Sequence, residues 1–327
     1  MKIALGFITY NTDTAKYLPY FLDSLFKSLE YLPAEDYLIL ARDNSEEPNN
    51  YNLEYIKNVF NKEAELIKFR SSGGNIGFSR AYNSMISEAK DWGAAAFLMV
   101  NPDTIIAPDA LKKLAEALGS DSMLGSVAPK VLRWDFANQK LSSKIDTCGL
   151  SLLPGLTFID IGQGLEDTNQ FQDFPILGPS GAAGLYRMSA LEKVKEATGY
   201  LDERMFMYKE DCDLAYRLFL AGFSSKITTE ALVYHDRSVS AQGRGILAIL
   251  NSRSSKSRQV RSWSFLNQHL LMIKFWSKQN WLNKLHILRK LLLFSLYALF
   301  FEPFLLNNYY KISQYIKLAR NHRKAID

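Results

Sequence analysis

Cysteine is nearly absent from this chain of 327 residues: only Cys148 and Cys212 occur, 64 positions apart. That excludes a disulfide framework or a cysteine metal cluster and favours a reducing compartment. Histidine is scarce as well, with four residues, three of them in the C-terminal tail. Long apolar runs are also missing. The stretch 291–301, "LLLFSLYALFF", has 11 residues, short of the ~20 that a membrane-spanning helix needs. The apolar run in the N-terminal "MKIALGFITYNTD" is too short for a signal-peptide core with its cleavage site, and reads as the first strand of a cytosolic domain. Acids are what the tail lacks. From residue 237 to the end, 16 Lys and Arg face two acids, Glu302 and Asp327, a net +14, whereas the first 236 residues carry −9. An acidic body with a basic tail points to an anionic partner for the tail: a membrane surface, a polyprenyl phosphate or a nucleic acid.

The remaining composition, 47% apolar and 22% charged, excludes disorder. The length suits one large or two modest domains with a sizeable core. Along the first 130 residues, short apolar runs alternate with helical spacing. "KIALGFITYN", "YLILARDNS", "AELIKFRSS" and "AAAFLMV" read as strands, and residues 14–32 and "GFSRAYNSMISEAK" read as helices. This alternation predicts βαβ units and a mostly parallel sheet, whose ligands sit beyond the carboxyl ends of the strands. Residues 126–199 read as less regular, with "GPSGAAGLYRMSAL" as a tight loop entering a strand and a helix. "FMYKEDCDLAYRLFLAG" reads as a helix with an acidic opening, and "KITTEALVYHD" as a strand. A Ser/Arg-rich stretch and two apolar helical segments complete the chain.

If the strands are parallel, Thr9-Tyr10-Asn11, Asp43-Asn44-Ser45, "GGNIGF" and Asn101-Pro102-Asp103 share one rim. Pro102 holds Asn101 extended, so Asp103 stands at a strand end, where a hard divalent cation would find an oxygen ligand. An Asp capping the following turn is the plainer alternative. Glu210 and Asp211 open a helix. Acids there are favoured by the helix dipole, by ~0.3–1 kcal/mol each, but such a carboxylate can also serve as a general base. His235 ends an apolar strand, either as a structural residue or as a neutral imidazole completing a cation's coordination. In "SSGGNIGFSRAYN", Gly73 and Gly74 permit a turn, while Asn75 and Asn83 offer amides suited to a base or a ribose. A loop leading into a helix explains the same residues. The stretch is neither a P-loop nor a G-x-G-x-x-G after a strand.

The order of these pieces carries a resemblance. With "FITYN", "RDNS", "GGNIGFSRAYN", "LMVNPDT", "GPSGAAGLYR", "FMYKEDCDLAYRL" and "VYHD" in succession, residues 1–240 resemble family 2 glycosyltransferases, in particular the rhamnosyltransferase-like branch that builds bacterial cell-surface polysaccharide such as O-antigen. The resemblance implies an α/β, GT-A (nucleotide-diphospho-sugar transferase) fold with a mostly parallel central sheet flanked by helices. C-terminal apolar/basic helices would follow it. It implies a nucleotide site of Thr9, Tyr10, Asn11, Asp43, Asn75, Gly77, Asn83 and Asn101, and a donor/acceptor loop at Ser180 and Gly181. Asp103 matches the last acid of the family's DxD motif, whose first position is here Asn101, so the divalent cation, Mg²⁺ or Mn²⁺, has one carboxylate fewer. His235 would be its further ligand. Asp211 would be the catalytic base, with Glu210 orienting the loop.

The activity implied by this resemblance is that of an inverting, metal-dependent hexosyltransferase. It would take a nucleotide-sugar donor (dTDP-rhamnose first, a UDP-sugar second) and a polyprenyl-diphosphate-linked saccharide acceptor. The expected organisation is a catalytic domain over 1–240, a basic Ser/Arg-rich loop over 241–262, and a helical membrane-associating region over 263–327. Two tail helices, with Trp263, Trp276 and Trp281 at the interface, would lie on the inner face of the bacterial cell membrane. Packing on protein or a homodimer interface is the alternative for them. Nucleic acid is not expected as a partner, since no recognition module is present. The rival functions are a sugar nucleotidyltransferase, which should carry a basic glycine-rich loop after the first strand, and an inactive, membrane-docked sugar-nucleotide-binding protein.

Overall fold

The computed structural model describes residues 1–47, 51–64, 66–237 and 256–324. These fall into two compact units. One comprises residues 1–151, 160–206 and 210–238, and the other 152–159, 207–209 and 239–327.

The first unit is built on a sheet whose core is four parallel strands, β1 (Ile3–Thr9), β2 (Tyr37–Asp43), β3 (Ile67–Ser71) and β4 (Ala96–Val100), in the order β3-β2-β1-β4. Side chains alternate between the two faces of a strand. Ile3, Leu5, Phe7, Leu98 and Val100 accordingly enter one core, against the helices α2 (Leu18–Leu29) and α5 (Ala110–Gly119). Ala4, Phe97 and Met99 enter the other, against α4 (Phe78–Asp91), α6 (Met188–Val194) and α7 (Glu210–Leu220). Gly6 leaves room for this second layer, since a Cβ there would lie 2.5 Å from the Phe97 ring.

Beyond β4 the order continues with β10 (Ala183–Arg187), β6 (Leu124–Asp135), β11 (Ser224–His235) and β5 (Thr104–Ile106), and β7 (Lys140–Thr147) pairs with β6. β10 runs antiparallel to β4, β11 parallel to β6, and β5 antiparallel to β11. Strands β8 (Leu150–Leu153) and β9 (Thr157–Asp160) form a separate pair.

Three expectations are corrected and one helix is added. The helix expected over 14–32 is two helices, α1 (Asn11–Ala15) and α2, because Pro19 in the first turn of α2 cannot continue a helix from upstream. The supposedly irregular 126–199 holds most of β6, all of β7 and the β8/β9 pair. Pro129 disguises β6, and it sits at a register shift between β6 and β11, where a missing N–H is tolerated. Helix α3 (Tyr51–Ala64) was not foreseen. The tail forms three long helices rather than two: Arg258–Phe275, Trp281–Phe300 and Asn308–Lys324. The first two are capped by Ser257 and Asn280, whose side chains accept backbone N–H groups. Phe265, Leu266, Ala298, Leu305 and Ile312 form a core of this second unit. Of the expected 241–262 loop, residues 241–255 lie outside the described residues, and helix begins at Arg258. Among the described residues no helix is long and apolar enough to cross a membrane.

Candidate active site

Strand register assembles the site. Thr9 pairs with Asp43 and Asp43 with Ser71, so the ends of β1, β2 and β3 stand side by side. Val100, at the end of β4, pairs with Ala183, at the start of antiparallel β10, which brings Ser180 and Gly181 to the same edge. His235 ends β11 opposite Thr104 of β5 and so beside Asp103.

At the β1/β2 end, Asp43 is buried and its Oδ1 accepts from the Thr9 hydroxyl (2.8 Å) and the Ser45 hydroxyl (2.6 Å). The Ser45 hydroxyl in turn accepts from the Asn11 N–H (2.7 Å), and Asn11 Oδ1 accepts from the Glu46 N–H (3.0 Å). Asn11 adopts φ 41°, a left-handed conformation that Asn tolerates better than most residues. Asn52 of α3 donates to the Asn11 carbonyl at 3.1 Å. The Tyr10 hydroxyl lies 3.2 Å from Glu46 Oε2. Asn44 Nδ2 donates to the Gly77 carbonyl (3.2 Å), and the Gly77 N–H donates to Asn75 Oδ1 (3.2 Å). Gly77 needs to be glycine on two counts: φ is 85°, and a Cβ would meet Phe206 at 2.7 Å. Thr9, Tyr10, Asn11, Asp43, Asn75 and Gly77 are thus brought together. Asn83 is not. Its amide nitrogen donates to the Leu201 carbonyl (2.9 Å) and Glu203 (3.1 Å), and its oxygen accepts from the Leu201 N–H (2.8 Å), which fastens the 198–203 loop to α4.

At the β4 end, the Asn101 N–H donates to the Ala182 carbonyl (3.0 Å) and its carbonyl accepts from the Thr104 hydroxyl (2.6 Å), so the turn is held through both backbone groups of Asn101. Asp103 Oδ2 is 3.3 Å from His235 Nε2, and Asp103 Oδ1 is buried without a hydrogen-bond partner. From here charges alternate along a chain. His235 Nδ1 lies 2.9 Å from Asp146 Oδ2, Arg237 donates to Asp146 at 3.1 Å, and the same guanidinium donates to Asp160 at 3.0 Å. Burial lowers the pKa of His235, but the flanking Asp103 and Asp146 outweigh it and raise the value to about 10. At Asp146 burial pushes upward, and the hydrogen bond from His235 and the charge of Arg237 overcome it, holding the carboxyl below its usual range. At Asp160 burial prevails over Arg237 and raises the pKa.

The third group lies at the head of α7. Asp211 Oδ2 accepts from the Gly181 N–H (2.9 Å) and Oδ1 from the Cys212 N–H (2.7 Å). Glu210 is buried beside it, and the buried Ser180 hydroxyl has no hydrogen-bond partner. The chain enters α7 through two consecutive left-handed residues, Tyr208 (φ 72°) and Lys209 (φ 74°). Left-handed geometry costs a non-glycine residue roughly 1–2 kcal/mol, and such strain concentrates at functional sites. Asp213 serves packing: it is fully buried and paired with Arg217 at 2.7 Å.

Asp146, Asp160, Arg237 and Asn52 were not anticipated, whereas Ser45 was placed on the rim by its position in the polar end of β2. Asp146 is one acid in the polar "SSKIDTCGL", and nothing local distinguishes it from a surface residue.

Residues 6–195 match the sequence profile described as "Glycosyl transferase family 2". The chain belongs to glycosyl transferase family 2. The match contains Thr9, Asp43, Asp103 and Gly181, while Asp211 and His235 lie beyond it. Among curated proteins, this family 2 chain is 26% identical over 189 residues to an N-acetylglucosaminyl-diphospho-decaprenol L-rhamnosyltransferase of Mycobacterium tuberculosis, an alignment covering 52% of the chain and 59% of the relative. The chain therefore spans little more than half the length of that relative. Solved structures share its GT-A fold. S. aureus TarS 1-349 in complex with UDP-GlcNAc has a TM-score of 0.56 at 14% identity, covering 97% of this chain and 82% of that one. The mannosyltransferase PcManGT of Pyrobaculum calidifontis, with GDP-Man and Mn²⁺, has a TM-score of 0.54 at 13% identity over 98% and 75%. GalNAc-T7 with UDP, GalNAc and Mn²⁺ has a TM-score of 0.57 at 11% identity over 72% and 43%.

Proposed function

We propose that this family 2 chain is an inverting glycosyltransferase. In this reading it moves L-rhamnose from dTDP-rhamnose to a hydroxyl of a lipid-linked saccharide, in bacterial cell-surface polysaccharide synthesis. The observation that carries the reading is the pairing of an orphaned, buried Asp103 oxygen beside His235 with a carboxylate, Asp211, held at the head of a helix by the Gly181 N–H. The rhamnosyl donor and the lipid-linked acceptor are supported by the name of the mycobacterial relative. A UDP-sugar is the second reading, supported by the UDP-GlcNAc and UDP found with TarS and GalNAc-T7.

A divalent cation fits these residues. Among the described residues no cluster of three or more His, Cys, Asp or Glu is arranged to hold a metal. Asp103, with its unpartnered buried oxygen, and His235, once a cation displaces the proton that Asp103 and Asp146 stabilise on it, would suit a cation that takes its remaining ligands from the donor's phosphates and water. Asp146 would fix the His235 ring from behind, as carboxylates commonly do for metal-binding histidines. When bound, the cation would offset the negative charge that builds on the departing diphosphate. Thr9, Tyr10, Asn11, Asp43, Asn75 and Gly77 would hold the nucleoside. Asp211 accepts the proton of the acceptor hydroxyl. The hydroxyl oxygen bonds to the anomeric carbon as the bond to the diphosphate breaks, and the nucleoside diphosphate leaves with the electron pair. One displacement inverts the configuration. A lipid-linked acceptor sets the reaction at a membrane surface, the inner face in this reading.

Thermal unfolding with thymidine, uridine and guanosine diphosphates, each with and without Mn²⁺, tests this. A ligand at 100 times its dissociation constant adds about 2.7 kcal/mol. Thymidine diphosphate with Mn²⁺ should raise the midpoint most, and in Asp103→Asn the part of the rise that requires Mn²⁺ should vanish. A larger rise with uridine diphosphate would transfer the assignment to a UDP-sugar. No rise with any of the three would sink the catalytic reading.

A further inference from the structure

The Trp281–Phe300 helix has no Asp or Glu among its 20 residues. Its inward side is clear, since Ile287 and Ala298 are fully buried. Its outward side is apolar. Trp281 is 68% exposed, Leu285 54%, Leu288 51%, Leu292 61%, Leu296 42% and Leu299 53%. At ~3.6 residues per turn these six fall in one stripe roughly 80° wide and about 30 Å long, with Phe300 widening it at one end. Water-soluble monomers rarely leave so much contiguous apolar surface uncovered.

Charge selects what covers it. Across the described 256–324 there are 13 Lys and Arg and one acid, Glu302. Glu302 is itself buried and paired with Arg261 at 2.9 Å. The helix that bears the stripe itself carries Lys284, Arg289 and Lys290 and no acid, so the charge along it is of one sign. A second copy laid on the same face would bring two such basic surfaces together. Anionic lipid headgroups would neutralise them. Aromatic residues stand at both ends of the stripe, Trp281 at one and the exposed Phe300 and Phe301 at the other, the side chains favoured at a membrane–water boundary. Arg289, exposed on the stripe's flank, can reach a headgroup while its stem lies along the leucines.

We infer that this face is the seat of an anionic bilayer, on which the Trp281–Phe300 helix lies flat with its leucines in the acyl boundary and its cations among the headgroups. The inference deepens the proposed function by naming the surface that meets the membrane, and its test does not depend on turnover. The full chain is sedimented with vesicles of phosphatidylcholine alone and of phosphatidylcholine with phosphatidylglycerol. The wild type should pellet with the second and much less with the first. Replacing Leu288, Leu292 and Leu296 together by Ser should lower partitioning by about tenfold per leucine without moving the thermal midpoint, since all three are exposed. Bromine-labelled acyl chains should quench wild-type fluorescence more than that of Trp281→Phe. Equal pelleting of wild type and triple variant, or no pelleting of the wild type, overturns the proposal. So does a wild-type dimer by light scattering that the triple variant converts to monomer while vesicle binding is unchanged. Nucleotide-induced stabilisation, measured on the same samples, reports separately on the transferase reading.

Discussion

Two backbone N–H groups set the position of the Asp211 carboxylate, one from the Gly181 loop and one from its own helix. That makes Asp211→Asn a sharp probe. The amide keeps the shape and one accepting oxygen, loses the other hydrogen bond at a cost of about 1 kcal/mol, and cannot take up a proton. In the proposed reaction, transfer of rhamnose to a lipid-linked acceptor, monitored by release of thymidine diphosphate, should fall by about 10²–10⁴-fold. The stabilisation by thymidine diphosphate should survive. Loss of both would mean that Asp211 holds the donor rather than the acceptor's proton. The two cysteines, by contrast, serve the core. Neither is in a disulfide, both are buried, and burial pushes the Cys148 thiol up to about 12, well away from nucleophilic use.

The head of α7 shows how one element mixes roles. Its first four residues include three acids, which the sequence presents as interchangeable dipole partners. Asp213 is instead fully buried against Arg217, whose guanidinium also donates to the Tyr200 carbonyl at 2.6 Å. Removing one partner of a buried pair leaves an uncompensated charge, so Asp213→Asn should cost about 3–5 kcal/mol in urea unfolding. An unchanged unfolding midpoint would show that Arg217 finds other partners. The same contrast runs through the whole site. The parallel strands and their polar ends were legible because short continuous apolar runs, buried on both faces, and terminal turn residues are local signals. Asp103 beside His235 was legible only through the resemblance, as two ligands of one cation. Asp146 was not, because it acquires its role when β7 folds back along β6 and delivers a carboxylate behind the His235 ring. Neither was the use of Asn83, whose partners lie 118 residues downstream.

At the scale of the molecule, charge is divided by position in the chain: −9 over the first 236 residues and +14 after them. Vesicle association driven partly by that charge should weaken as salt is raised from about 0.05 to 0.5 M, over which the screening length shortens several-fold. Salt-independent pelleting would assign the binding to the leucine stripe alone. Chain order has a consequence in time as well. The residues proposed to hold the nucleoside lie between positions 9 and 77, whereas Asp103 gains its neighbour only at His235 and Asp211 arrives at position 211. At roughly 5–20 residues per second, a ribosome would complete the holding half of the site several seconds or more before the reacting half. During its own synthesis the chain would reach a stage at which, under the proposed function, a donor could be gripped but not yet spent.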